Sequence, residues 1–162
     1  IIHGELSPET SPAGWLRSHP ELSAYVDVRT ETLSDLYGSL RSTVGGDVEL
    51  GRYAGFFEIE DEWMHGADLN SLATHLDYYT VIAYESTRRE IVQRVRAADQ
   101  LTPDVPLHVG ILPGPPAIND PGTVTDAVKG LADDGVERVS FYNYGLLPER
   151  NLDWIATATE PY

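Results

Sequence analysis

The chain has no cysteine, which excludes disulfides, thiolate metal sites and a cysteine nucleophile. It has almost no lysine: of its 11 basic residues only Lys129 is one, the rest being arginine. Nowhere do apolar residues approach the ~18 in a row that a membrane helix needs, so no membrane partner is expected. The amino end, Ile1-Ile2-His3-Gly4, lacks a basic region followed by an apolar segment, which predicts no signal peptide and a cytoplasmic location. It also lacks a starting methionine, as a processed or truncated piece of a longer chain would. Several catalytic signatures are missing as well. There is no G-x-S-x-G elbow or Ser-His-Asp order. There is no Walker loop, no dinucleotide fingerprint, and no H-E-x-x-H spacing among His3, His19, His65, His75 and His108. Neither a metal nor a cofactor is expected.

What the chain has in excess is acid. Asp and Glu number 26, for a formal net charge of −15. A field of that sign repels phosphate backbones and anionic lipid, so nucleic acid is excluded as a partner. The acidic residues are spread over the length of the chain and not gathered in a tail. Acidic, lysine-poor compositions of this kind resemble proteins adapted to high salt, where screening removes the self-repulsion; an ordinary acidic protein is the alternative. With 162 residues, 41% of them hydrophobic, a domain with a real core is expected.

Residues 1–17 carry Gly4, Pro8, Pro12 and Gly14 and read as an amino-terminal arm or loop ahead of a domain over 18–162. Ser18-His19-Pro20-Glu21 then reads as a helix start, with Ser18 as cap and Glu21 completing a capping box. Leu22, Tyr25, Val26, Leu33, Leu36, Tyr37, Leu40 and Val44 recur mostly every three or four residues, predicting one long helix that stops at Gly45-Gly46. A strand over Ala24–Thr30 is the alternative there. Strands are expected at Val48–Tyr53, Tyr78–Tyr84, Leu107–Leu112 and Arg138–Tyr144, separated by helical patterns. Asp68, the Thr87/Glu90 box, the Thr123/Asp126 pair and Pro148 would open those helices.

Strand starts recur about every 30 residues, the usual length of a βα unit, so the sheet should be parallel and helix-covered. An open doubly wound sheet would be apolar on both faces of its central strands. Here Val109 and Ile111 alternate with His108 and Gly110, and Val139 and Phe141 alternate with Ser140 and Tyr142. One-sided alternation is what the wall of a barrel requires. The expected fold class is therefore α/β, a TIM-barrel-like (β/α) arrangement with four strand–helix units visible, a partial or half barrel.

Several segments resemble an uncharacterised group of glycoside-hydrolase-like TIM-barrel proteins, in the C-terminal half of the barrel. They are Ser18-His19-Pro20-Glu21, Val48-Glu49-Leu50 with Gly55-Phe56, Asp68 to Ala73, Asp77 to Tyr84, His108-Val109-Gly110, Ser140 to Gly145 and Leu152 to Ile155. The resemblance implies a carbohydrate-active or carbohydrate-binding ancestry. Related barrels commonly carry a carboxylate at the tip of the strand matching Val48–Tyr53, whereas this tip reads Gly51-Arg52-Tyr53.

In a barrel the site lies at the C-terminal ends of the strands. Tyr53, Tyr84, Tyr142 and Tyr144 would line it, offering flat apolar faces with hydroxyl edges suited to a sugar; Asn143 and Trp63 stand beside them. The plainer alternative is that these tyrosines only fill space. Glu85 follows Tyr84, where either a catalytic acid or a carboxylate in the first turn of the next helix could sit. Glu49 and His108 point inward by alternation, and Glu49 would pair with His108 or Arg52 as an acid/base unit or a structural pair. Glu58, Glu60, Asp61 and Glu62 are weaker carboxylate candidates beside Trp63. A small-molecule or carbohydrate ligand is expected, with hydrolysis in question. The alternatives are a non-catalytic oligomerising or ligand-binding barrel module, or an enzyme acting on another polyol or sugar phosphate.

Overall fold

The computed structural model describes residues 12–54, 65–102 and 104–162. The chain divides into two compact units, Ile1–Val48 with Glu58–His75, and Glu49–Phe57 with Leu76–Tyr162. Among the described residues, no helix is long and apolar enough to cross a membrane.

The first unit is helical. Pro12–Arg17, expected as part of an arm, forms a short helix α1, followed by α2, Pro20–Val44. The helix excludes the strand considered for Ala24–Thr30. The capping box expected at Ser18 and Glu21 does not form. His19 is the N-cap and makes no side-chain cap bond, because the Ser18 hydroxyl donates instead to the Trp15 carbonyl at 2.7 Å. Pro20 opens the first turn at no cost, since its missing N–H would have been unpaired there anyway. The helix ends where expected: Gly45 takes φ +70° and its N–H returns to the Arg41 carbonyl. The Arg41 guanidinium ties this end down through the carbonyls of Gly45, Val48 and His75. In α3, Leu69–Ala73, the Asp68 carboxylate caps the Asn70 and Ser71 N–H groups and Leu72 is buried.

The second unit is a mixed α/β fold: a four-stranded parallel sheet in the order β1-β2-β3-β4, its strands alternating with helices. The strands are β1 (Gly51–Ala54), β2 (Tyr78–Ala83), β3 (Leu107–Ile111) and β4 (Val139–Phe141); α4 (Arg88–Leu101), α5 (Pro121–Asp133) and α6 (Arg150–Thr159) follow β2, β3 and β4. Every strand is shorter than its alternating stretch. The β1 ladder begins at Gly51; just before it the Leu50 N–H is taken by the Asp77 carboxylate at 2.7 Å, while its carbonyl accepts from the Asp77 N–H at 2.8 Å. At the other end of the sheet, Tyr142 N–H still reaches the Ile111 carbonyl at 2.9 Å, but the chain then turns, and Asn143 C=O accepts from Leu146 and Leu147. Tyr142 to Tyr144 therefore lie past the strand, not in it.

Thr87 caps α4 as expected, accepting from Glu90 N–H while its hydroxyl donates to the Glu90 carboxylate. For α5 the start moves upstream from Thr123: Asp120 is the cap, with Pro121 in the first turn. Its carboxylate accepts from both the N–H and the hydroxyl of Thr123. Glu149 stands at the head of α6, one residue beyond Pro148.

One-sided alternation holds in three dimensions. Tyr79, Val81, Ala83, Val109 and Ile111 share a face and are all at 0% exposure, with α4 packed on β2 and β3. The opposite face carries Gly51, Tyr53, Tyr78, Thr80, Ile82, His108, Gly110 and Ser140, in the register Tyr53↔Thr80↔His108 and Ile82↔Gly110↔Ser140. Thr80 and Gly110 are buried at the centre of this face, while Tyr53 and Ser140 are exposed; this more open face is where a site can form.

Candidate functional site

Two of the four expected tyrosines, Tyr84 and Tyr142, meet at the C-terminal ends of the strands, and a third, Tyr53, lies within electrostatic reach of Tyr84. Tyr53 lies in β1, Tyr84 one residue past β2, and Tyr142 one residue past β4. The Tyr84 and Tyr142 rings stack with centroids 5.5 Å apart and planes at 28°. They meet even though β3 runs between their strands. On this face β3 contributes Gly110, in register with Ile82 and Ser140 two residues before the stacked rings, and it brings no side chain. Tyr84 is half-buried, and its phenol is pushed above its ordinary value, first by burial and then by the hydroxyls of Tyr142 and Tyr53. It therefore stays protonated and able to donate through neutral pH. Tyr53 and Tyr142 are 63% and 48% exposed, so both present surface to a ligand, Tyr142 with one ring face stacked on Tyr84. Tyr144, at 81%, extends into the loop beyond. Asn143 is half-buried and uses its backbone carbonyl to anchor the following turn. Trp63 and the carboxylates Glu58, Glu60, Asp61 and Glu62 lie outside the described residues.

The expected acid/base unit is replaced by another pairing. Glu49 is exposed, not buried, and its carboxylate takes Arg138 in a two-pronged bridge of 2.7 and 3.1 Å. His108 instead stacks on Tyr78, with centroids 3.9 Å apart. Room for this stack comes from Gly51: a Cβ there would lie 2.1 Å from the Tyr78 ring. Arg138 holds the Glu49 carboxyl below its ordinary value, chiefly through the hydrogen bond. The His108 pKa is pushed down by burial and then by Arg138, against the pull of Glu49 and Glu137.

The sign of that shift can be tested. Because the folded state binds a proton at His108 less readily than the unfolded chain, its contribution to stability is present above 6.5 and lost as pH falls through the depressed folded value. In a proton NMR titration, His108 is expected to titrate below 6.5. Glu49→Gln should lower its pKa further and Arg138→Met should raise it; shifts in the opposite directions would refute this assignment of charges.

Glu85 does not occupy the first turn of α4, which begins at Arg88. It lies in the preceding loop, turned to the helix side of the sheet, where Oε1 accepts from the Arg94 guanidinium. Its other oxygen is buried and has no hydrogen-bond partner. Glu49 and Glu85 sit at opposite ends of the strands. The five steps from Tyr78 to Ala83 between their levels span about 17 Å at ~3.3 Å per residue. Retaining and inverting glycosidases place their carboxylates within about 10 Å of each other, so these two cannot form such a pair. Among the described residues, no group of three or more His, Asp or Glu is placed to hold a metal ion.

Three partners escaped the sequence reading. Arg138 carried a signal, since it shares strand parity with Ser140 and Tyr142 and so belongs to the open face. Tyr78 had the same parity signal in β2. Arg94 had none, because a helix arginine reaching back nine residues to Glu85 leaves no local pattern. No protein-family model matches the chain, and a search of curated proteins finds none similar to it.

Proposed function

We propose that this chain is a glycoside-hydrolase-like, TIM-barrel-type (β/α) protein, present as a half barrel, that binds a carbohydrate-type ligand on its tyrosine cluster. The observation that carries this reading is the convergence of Tyr53, Tyr84 and Tyr142. Each comes from a different strand end of one parallel sheet, and two of the rings are stacked. Aromatic faces pack on the C–H surfaces of a sugar while phenol hydroxyls bond its O–H groups. The C-terminal ends of the strands are also where barrel proteins keep their sites.

Binding without hydrolysis is the form of this reading that the carboxylates favour. Glu49 and Glu85 are each engaged by an arginine and lie too far apart to act together. A panel of neutral oligosaccharides screened by titration calorimetry tests the proposal. At least one should bind, and Tyr142→Ala should weaken it by about tenfold, as expected for loss of one stacking aromatic worth roughly 1–1.5 kcal/mol. Unchanged affinity in a folded Tyr142→Ala variant would remove the site from this cluster.

A further inference from the structure

Sugars differ in charge, and the surroundings of the cluster bear on which charge it accepts. Tyr53 is exposed and so is Tyr142, which has one ring face stacked on Tyr84 and leaves the other for a ligand; a tyrosine face carries a negative quadrupole that attracts a cation lying over it. Arg94, the arginine that reaches Glu85 beside Tyr84, is spent on that carboxylate. Arg52 precedes Tyr53 and projects from the opposite face of β1. The chain as a whole carries a formal charge of −15, a field that concentrates cations at its surface and repels anions.

Resting on the carbohydrate reading above, we infer that the Tyr53–Tyr84–Tyr142 cluster is selective for glycans bearing a protonated amino group, held by cation–π contact with the tyrosine faces. An acetylated amine keeps the sugar's shape but loses the charge. A uronic acid reverses the charge and is repelled. The preference is therefore a property of the rings acting within an acidic protein, and no ion pair to a single carboxylate is required.

The test uses the full chain and three probes, measured by calorimetry at pH 6 and one fixed ionic strength: a glucosamine tetramer, its fully N-acetylated counterpart and a galacturonate tetramer. The glucosamine tetramer should bind about fivefold or more tighter than the acetylated one, with galacturonate weakest. Tyr142→Phe should keep that ratio, because the ring remains. Tyr142→Ala, or Tyr53→Ala should the first variant fail to fold, should bring it towards one. If the acetylated tetramer binds equally well and still depends on Tyr142, the charge inference falls and the carbohydrate reading stands. An amine preference that survives loss of the ring would come from net charge alone and would also overturn the inference. If none of the three probes binds and the neutral panel is silent too, both readings fall together.

Discussion

Ile111→Ala is expected to lower the free energy of unfolding by about 2–5 kcal/mol, whereas Ser140→Ala, on the other face and in register with Gly110, should change it by less than about 0.5 kcal/mol. Ile111 is fully buried on the helix-covered face, beside Val81 and Val109. Truncating it removes three methyl(ene) groups' worth of burial and leaves a hole that close-packed neighbours fill only in part. Ser140 lies one residue before Phe141, the register partner of Ile111, but on the open face, where it is exposed. The contrast between adjacent levels of one sheet measures the asymmetry on which the placement of the site depends. Denaturant unfolding of the two variants would show it. A large cost at both positions would mean that the open face is packed as tightly as the other.

The second large effect is expected at Gly51. Replacing it with alanine places a Cβ where the Tyr78 ring now stands, 2.1 Å away. The ring cannot yield freely, because His108 stacks on it from β3. Gly51→Ala should cost about 1–3 kcal/mol, the usual penalty for overpacking, and should disturb the His108 ring resonances. Adding Tyr78→Ala removes the obstacle, so the double variant should be more stable than the sum of the two single losses predicts. Simple additivity would place Tyr78 elsewhere.

The parallel alternation of strands and helices was legible because it follows from period-two and period-3.6 patterning along the chain. Caps were legible where a side chain had no competing partner, as at Asp68 and Thr87. They were misread where a nearer acceptor won, as when the Ser18 hydroxyl turned back to Trp15. Strand ends were overextended because alternation continues past the last ladder bond: Tyr142 keeps its parity, but the carbonyl of Asn143 is already closing a turn. The tyrosine cluster was readable from parity alone. The role of Glu49 was not, since its partner is 89 residues away and carries its charge on a long side chain. A buried inward carboxylate would have needed His108; an exposed one is satisfied by Arg138.

The proposed ligand contact belongs to the three tyrosines at the strand ends and does not follow from exposure of tyrosine in general. Tyr25 and Tyr162 are controls within the same chain, at 61% and 70% exposed, comparable to or above Tyr53 and Tyr142. With ring resonances assigned, titration of the best-binding oligosaccharide should shift Tyr53, Tyr84 and Tyr142 together and saturably while leaving Tyr25 and Tyr162 in place. Shifts spread over all five rings, or confined to Tyr25 and Tyr162, would contradict the account.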